Sequence, residues 1–183
     1  MKSYDPIEYW KEAGKTYYQD FKYNENYDRQ ETELVEYLYN IKFDSVLELG
    51  CGFGRITELI YYRFHPKTYV AVDVSNEQLS HIKIPRVVKI ESDIESFKTN
   101  EKFDLVIAIE VLMHQLPDKV QSIVDKMKSL SKKHVISIDY TGIAEGLEPH
   151  NFKHLYPLLY KNVKIKEIGQ QCIFHYEKQW KEQ

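Results

Sequence analysis

The stretch that decides the fold of this chain is Ser45-Val46-Leu47-Glu48-Leu49-Gly50-Cys51-Gly52-Phe53-Gly54-Arg55-Ile56-Thr57. Its first five residues are mainly apolar and predict a buried strand, and three glycines on alternate positions follow directly. Glycine allows positive φ angles and lets a ligand approach the backbone closely. The residues after Gly54 predict a helix, whose N-terminus offers unpaired N–H groups and the positive end of a dipole. The stretch therefore predicts a site for a ligand with a negative or hydroxylated end.

Acidic residues follow the next two strand patterns. Tyr69-Val70-Ala71-Val72-Asp73 ends in a carboxylate 23 residues after Gly50. A carboxylate in this position can accept hydrogen bonds from the hydroxyl groups of a ribose. A second acid, Asp93, follows the third strand pattern and is succeeded by Ile94. The expected ligand therefore contains a nucleoside.

The spacing of the glycines separates two classes of nucleoside-binding protein. A dinucleotide fingerprint reads G-x-G-x-x-G, whereas the glycines here read G-x-G-x-G. With Glu48 before them and the two acids after them, the sequence from about 44 to 139 resembles the class I S-adenosylmethionine (SAM) methyltransferases. The alternative is a glycine-rich turn of another α/β protein, which the two acids at strand ends argue against.

The resemblance implies SAM as the cofactor and a role for each matching residue. In that family the glycine loop lies beside the methionine and ribose, the acid after the second strand holds the ribose hydroxyls, and the acid after the third strand lies beside the adenine amino group. Aromatic residues of the first helix touch SAM in some members. The cofactor-binding residues expected on this basis are Glu48, Gly50, Cys51, Gly52, Gly54, Asp73, Val74, Asp93, Ile94, Glu110 and Tyr18.

Composition predicts one domain without a membrane span. The chain has 183 residues, 43% hydrophobic and 29% charged, and a net charge of −3, which argues against a broad nucleic-acid surface. No apolar run approaches the ~18 residues of a membrane span, and the first residues lack the apolar core of a signal peptide. The two cysteines have no C-x-x-C spacing, which argues against a disulfide framework or a zinc site. We expect a cytoplasmic protein.

Alternating strand and helix patterns predict a parallel sheet. The resemblance adds an antiparallel seventh strand between the fifth and sixth, which gives a doubly wound three-layer α/β sandwich with an N-terminal helical segment. We expect a single domain, 1–183, with a helical lid or cap at 1–40 and a Rossmann-like core at 41–183. The predicted strands are 45–49, 69–73, 87–91, 104–109, 134–139, 163–168 and 171–177. The predicted helices are a first one with Asp5 as its cap and Pro6 in its first turn, then about 27–40, 55–64, 76–82, 117–131 and 152–161.

The segment after the fourth strand carries the candidate base. Glu110-Val111-Leu112-Met113-His114-Gln115-Leu116-Pro117 resembles the E-x-L-x-H-x-x-P stretch of methyltransferases that act on small molecules. Glu110 would lie near the methionine end of SAM or the substrate. His114 is the candidate general base, because an unperturbed imidazole titrates near neutrality. The alternative for His114 is a structural role in which it caps or packs the next helix.

The segment after the fifth strand, 139–157, predicts a long loop with substrate-lining candidates. It resembles the H-x-F-x-H-D-Y stretch of some small-molecule methyltransferases, with Leu155 in place of the aspartate. Its candidates are Tyr140, His150 and His154. The two histidines are four residues apart and would share a helix face. A metal site would need Asp139 and further ligands, so no metal is expected, and both histidines could also be surface residues without a function.

These patterns favour a SAM-dependent methyltransferase that acts on a nitrogen or oxygen of a small molecule. The N-terminal aromatics predict a lid over the ligands, with most of the rings serving as core. The run after the fourth strand lacks the Asn/Asp-Pro-Pro-aromatic pattern of nucleic-acid amine methylation and the cysteine of cytosine methylation. The alternatives are a methyltransferase for RNA or protein, a SAM-binding protein without catalysis and, more distantly, a nicotinamide dehydrogenase. We expect a monomer or a homodimer.

Overall fold

A computed structural model describes residues 4–24, 26–141 and 150–178. The strands are β1 Ser45–Leu49, β2 Thr68–Asp73, β3 Val87–Glu91, β4 Phe103–Ile109, β5 Ser131–Tyr140, β6 Val163–Ile168 and β7 Gln171–Glu177. The α-helices are α1 Pro6–Phe21, α2 Asn26–Leu38, α3 Arg55–Phe64, α4 Asn76–His81, α5 Val120–Leu130 and α6 Tyr156–Tyr160, and Leu112–His114 forms a 3-10 helix. None of the helices in these ranges is long and apolar enough to cross a membrane.

The seven strands form one sheet in the order β3-β2-β1-β4-β5-β7-β6. The first five strands pair in parallel, and β7 is antiparallel to both β5 and β6. Gly169, at φ 76°, makes the short turn between β6 and β7. The strand order reverses between β1 and β4, and ligands of open α/β sheets bind outside the carboxyl ends of the strands at such a point. The predicted fold class, including the place of the antiparallel strand, is confirmed.

Helices cover both faces of the sheet and bury two apolar layers. One layer packs Leu47 and Val106 under α5 and α6, and the other packs Val46 and Ile107 under α2, α3 and α4. All seven residues of β4 are buried, which explains the unbroken apolar run of this central strand. The fold is therefore a three-layer sandwich. The edge of the sheet at which a ligand would bind lies at the ends of β1, β2 and β4.

Helix α1 begins as the sequence predicts and packs on α4. The Asp5 carboxylate accepts the backbone N–H groups of Ile7 and Glu8 at 2.8 and 3.2 Å, so it caps the helix. Gly14 lies so close to Ser75 that an added methyl group would overlap it, and the Gly14 carbonyl accepts a hydrogen bond from Gln78. Glycine at this position therefore holds α1 against the segment that follows β2.

Two predicted helices are shorter than expected. The predicted helix 117–131 is α5, which begins only at Val120, after a turn that contains Pro117. The predicted helix 152–161 is α6, which spans only 156–160, because the preceding residues bond to another segment. The Phe152 N–H donates to the Met113 carbonyl at 2.7 Å. His150 and His154 therefore do not share a helix face, and that expectation is wrong.

Candidate functional site

The three loop glycines all have positive φ angles, but they differ in what surrounds them. Gly50, Gly52 and Gly54 have φ angles of 72°, 54° and 92°. An added Cβ would lie 2.5 Å from the side chain of Val111 at Gly50, and it would overlap Ile82 at Gly54. At Gly52 the nearest atom would be 4.0 Å away. The outer two glycines therefore permit close packing, and the middle one faces open space.

Asp73 ties the end of β2 to this loop. Its Oδ2 accepts the Gly52 N–H at 2.8 Å, and its Oδ1 accepts the Ser75 N–H at 2.8 Å. Each carboxylate oxygen has two lone pairs, so both oxygens can accept a further hydrogen bond. Burial raises the pKa of Asp73, and the backbone N–H groups of Ser75 and Gly52 oppose that shift.

A cavity of about 1160 Å³ lies between helix α1 and the carboxyl ends of the strands. This volume is slightly above the upper end of the range of ordinary ligand pockets. Its walls come from α1, the glycine loop and the segments after β2, β3, β4 and β5. The predicted site residues in its lining are Glu48, Gly50, Cys51, Gly52, Asp73, Val74, Asp93, Ile94, Glu110, His114, Tyr140 and His150.

Three predicted site residues lie outside this lining. Gly54 packs against Ile82, as described above. Tyr18 stacks on His81 with ring centroids 3.8 Å apart, and its neighbour Tyr17 lines the cavity instead. The buried His154 donates its Nε2–H to the Gln115 carbonyl at 3.1 Å, which holds the loop rather than a substrate.

Glu48, next to the glycine loop, and Asp93, after β3, differ in their surroundings. Glu48 is buried and accepts the hydroxyl groups of Thr57 and Tyr69 at 2.5 and 2.7 Å. Burial raises the pKa of Glu48 to about 7. Burial also acts to raise the pKa of Asp93, but hydrogen bonds from Ser96 outweigh it and leave that pKa below its usual value. Asp93 is therefore a charged group at the cavity, whereas Glu48 mainly joins β1 to α3 and β2.

Glu110 stands at the end of β4 with an unusual backbone angle, φ 56°. Its Oε1 accepts hydrogen bonds from the amides of Gln30, at 3.2 Å, and Gln171, at 2.5 Å. Positive φ angles are uncommon for residues other than glycine and cluster at functional sites. Two amide donors from α2 and β7 therefore fix this carboxylate at the point where the strand order reverses.

Arg55 is the cation beside this carboxylate, and its charge is already paired. The guanidinium donates to Glu31 at 3.0 Å and to Gln30 at 2.6 Å. It also lies 3.8 Å from the centroid of the Tyr27 ring. Arg55 thus orients Gln30, which in turn reaches Glu110.

Four polar residues of the site did not stand out in the sequence: Gln30, Arg55, Gln78 and Gln171. Gln30 shares helical spacing with Tyr27, Leu34 and Leu38. A polar residue on an otherwise apolar helix face is the sequence feature that could have identified it. Gln78 follows Ser75 at capping-box spacing, so the sequence suggests a helix cap and not a residue that lines the cavity.

Gln78 is 3% exposed and lines the cavity beside Gly52. Its amide nitrogen donates to Gly14, whereas its Oε1 has no hydrogen-bond partner among the described residues. Leaving a buried acceptor unpaired costs about 1–3 kcal/mol. A ligand that donates a hydrogen bond at this position would remove that cost.

His114 lies among aromatic rings at the other end of the cavity. Its Nδ1 is 3.1 Å from the His150 carbonyl, which can only accept, so Nδ1 carries the proton and Nε2 is the basic nitrogen. The Trp10 ring lies 4.7 Å away, and the hydroxyl of Tyr4 donates to the His114 carbonyl at 3.0 Å. Burial lowers the pKa of His114 to about 4. His114 is therefore neutral at physiological pH, and its role as the general base stays a prediction.

Within the described ranges, no three His, Cys, Asp or Glu side chains are grouped as a metal ion would require.

Residues 46–134 match the family model described as a methyltransferase domain. The match covers just under half of the chain, and the resemblance to the class I SAM-dependent methyltransferases is confirmed.

Two curated relatives show the level of similarity. (S)-coclaurine N-methyltransferase of Papaver somniferum is 32% identical over 77 residues, which are 38% of this chain and 22% of the relative. Trans-aconitate 2-methyltransferase of Azoarcus sp. (strain BH72) is 29% identical over 96 residues, which are 51% of this chain and 38% of the relative. The chain thus matches less than two fifths of the length of either relative.

Solved structures match almost the whole chain. Magnesium protoporphyrin IX methyltransferase from Synechocystis PCC 6803, with bound SAM, has a TM-score of 0.72 at 14% identity and covers 98% of this chain and 100% of its own. The N-methyltransferase NodS from Bradyrhizobium japonicum WM9, with S-adenosyl-L-homocysteine (SAH), has a TM-score of 0.69 at 17% identity. The match covers 90% of this chain and 97% of NodS. At these identities the likeness shows the fold.

Proposed function

We propose that this chain is a SAM-dependent methyltransferase that transfers a methyl group to a nitrogen or oxygen of a small molecule. One observation carries the proposal: the Asp73 carboxylate holds the N–H of Gly52, and beside that glycine lie an open space and the unpaired Oε1 of Gln78. This arrangement stands at the switch point of a methyltransferase-type sheet. It offers a nucleoside both an anchored carboxylate and a buried acceptor.

The residues around the cavity fit SAM. Asp73 would hold the ribose hydroxyls, and Gln78 would accept a hydrogen bond from the same nucleoside. Asp93 and Ile94 would lie beside the adenine. The segment from Gly50 to Gly52, with Glu110, would lie beside the methionine part. Bound SAM supplies an electrophilic methyl group on a sulfonium centre.

The chain itself supplies mainly alignment and exclusion of water. Helix α1 covers the cavity through its packing on α4, in keeping with a lid or cap at 1–40 on a core at 41–183 within one domain. Alignment of two reactants can contribute roughly 7–11 kcal/mol to a barrier in favourable intramolecular cases. His114 Nε2 can accept a proton, but its pKa of about 4 makes it a weak base. We assign His114 to the acceptor end of the cavity, together with Tyr140 and His150.

A small-molecule acceptor agrees with a cavity enclosed under α1. The relatives named above are (S)-coclaurine N-methyltransferase and trans-aconitate 2-methyltransferase, and their names support a small-molecule acceptor. The alternatives are a methyltransferase for RNA or protein and a SAM-binding protein without catalysis. A cytoplasmic location and a monomer or homodimer complete the proposal.

Two measurements test this function. Calorimetric titration with SAH tests cofactor binding. Transfer of a labelled methyl group from SAM to separate metabolite, RNA and protein pools tests catalysis and the acceptor class. Label in the metabolite pool supports the proposal, label confined to RNA or protein supports the first alternative, and SAH binding without any label supports the second.

A further inference from the structure

The acceptor end of the cavity has a wall of aromatic rings. Trp10 lies 5.2 Å from Tyr9 and 5.8 Å from Tyr17, and Tyr9 lies 4.5 Å from the ring of His150, all measured between centroids. Trp10, Tyr9, Tyr17 and His150 all line the cavity. Aromatic faces attract cations and pack against apolar bodies.

Most of the ionisable side chains in the described lining of the cavity are acidic. The described lining contains the carboxyl groups of Asp20, Glu48, Asp73, Asp93 and Glu110 and a single cation, Arg55. That cation is bound to Glu31 and Gln30 and lies over the Tyr27 ring, so its charge is satisfied within the protein. Asp73 and Asp93 are assigned to the nucleoside, and Glu48 is hydrogen-bonded to Thr57 and Tyr69. Of the two that remain, Asp20 and Glu110, Glu110 lies beside the methionine part and within electrostatic range of Tyr17 in the aromatic wall.

The uncharged side chains at the acceptor end of the cavity also favour a substrate that donates hydrogen bonds. The Nδ1 of His150 is buried and has no hydrogen-bond partner in the described part of the chain. His114 uses its Nδ1–H on the His150 carbonyl, so its Nε2 offers a lone pair. Both histidines have a pKa lowered by burial and are neutral at physiological pH. A substrate here meets the Nε2 lone pair of His114 and the unpartnered Nδ1 of His150, and Arg55 is the one cation in the described lining.

We infer that the methyl acceptor is an amine carried on an aromatic or apolar body, and that the cavity selects against carboxylate acceptors. This inference rests on the proposed function and names the acceptor class of the same site. The amine enters as an ammonium ion and first gives its proton to water; its lone pair then forms a bond to the methyl carbon while the carbon–sulfur bond breaks. The electron pair goes to sulfur, which becomes a neutral thioether, and the nitrogen becomes a cation that releases a proton to water.

This reaction moves a positive charge from sulfur to nitrogen. The aromatic wall and Glu110 stabilise a cation at the acceptor end, so they favour the charge that develops on the nitrogen. A carboxylate acceptor would instead bring an anion near Glu110, and the described lining offers no free cation to compensate. A hydroxyl acceptor would need a base to remove its proton, and His114 is a weak one.

Three probes that share one aromatic body test the inference on the wild-type protein: 2-phenylethylamine, 3-phenylpropionate and 2-phenylethanol. Binding is measured in the presence of saturating SAH, and methyl transfer is measured with labelled SAM. We expect the amine to bind and to be methylated at least tenfold more efficiently than either other probe. Equal or better binding or methylation of 3-phenylpropionate or 2-phenylethanol overturns the inference. So does failure of the amine, together with tryptamine and tyramine, to bind.

A variant pair tests the aromatic wall. Trp10→Leu should weaken binding of 2-phenylethylamine by about tenfold, whereas Trp10→Phe keeps a ring and should lose less. Equal affinities in the two variants contradict a role for the ring. If Trp10→Leu does not fold, Tyr9→Leu against Tyr9→Phe provides the same comparison. SAH titration of the same samples separates the failures: no SAH binding removes the proposed function, whereas SAH binding without amine binding removes only this inference.

Discussion

The carboxylate of Asp73, the last residue of β2, accepts the backbone N–H of Gly52 in the loop after β1 at 2.8 Å. The bond fixes the middle glycine of the loop after β1 against the last residue of β2. A nucleoside bound at this edge would meet a loop and a carboxylate that are already positioned relative to each other. Preorganisation of this kind reduces the ordering that binding must otherwise supply.

Replacing Asp73 should affect both binding and folding. Asp73→Ala leaves the N–H groups of Gly52 and Ser75 without their acceptor, which should lower the free energy of unfolding by about 1.5–3 kcal/mol. SAH affinity should fall at least tenfold, equivalent to about 1.4 kcal/mol. Asp73→Asn, which keeps one acceptor oxygen, is the matched control and should lose less stability. Denaturant unfolding and calorimetry give the two values, and an Asp73→Ala protein with wild-type SAH affinity would show that the nucleoside binds elsewhere.

The glycine loop offers a comparison between packing and ligand approach. Gly52→Ala places a methyl group in open space at φ 54°, so we expect a stability loss of about 1–2 kcal/mol from backbone strain, together with weaker SAH binding. Gly50→Ala adds a collision with Val111, 2.5 Å from the new Cβ, and should destabilise the fold more. Thermal unfolding and SAH titration of both variants test this. Greater loss of stability in Gly52→Ala than in Gly50→Ala would contradict the geometry.

Adjacent tyrosines of α1 should behave differently. Tyr17 lines the cavity, with its hydroxyl 3.4 Å from that of Tyr27, whereas Tyr18 stacks on His81 outside it. Tyr17→Ala should therefore weaken binding of SAH or of the acceptor severalfold, and Tyr18→Ala should change both by less than about twofold, within the range of most surface substitutions. Calorimetry on the two variants decides between them, and the reverse order would show that the face of α1 is assigned wrongly.

Acid should destabilise the protein partly through His114. The pKa of this group is about 4 in the folded chain and 6.5 in the unfolded chain, so the unfolded state binds more protons between these values. Stability from this group is complete above pH ~6.5 and is lost as the pH falls towards ~4, by up to about 1.4 kcal/mol per pH unit. His114→Gln should flatten the fall in the free energy of unfolding between pH 6.5 and 4. An unchanged slope, or an NMR titration of His114 near pH 6.5, would contradict the assignment.

The sequence carried most of the fold because the sheet is buried on both faces. Strands 45–49 and 171–177 match their predicted bounds, since mainly buried runs next to turn residues leave little choice. The errors fall where local patterns compete with tertiary contacts. Pro117 predicts a helix start but lies in a turn, and the segment before α6 bonds to the 3-10 helix through Phe152 rather than forming a helical turn.

The site was predictable only where a motif encodes it. The glycine loop, Asp73 and Asp93 stand at strand ends and could be placed from spacing alone. Tyr17 and Tyr18 are neighbours, so the rotation of α1 had to be known to distinguish them. The bonds from Gln30 and Gln171 to Glu110 join residues 80 and 61 positions apart, and no local pattern reports such contacts.

Calorimetric titration of the wild-type chain with SAH, alongside Asp73→Ala, tests the central claim most directly. We predict binding at one site per chain with a dissociation constant in the micromolar range, and a rise in melting temperature that follows the ligand concentration. The heat should be lost or strongly reduced in Asp73→Ala. Absence of heat and of any thermal shift up to millimolar SAH in the folded wild-type protein would contradict the account.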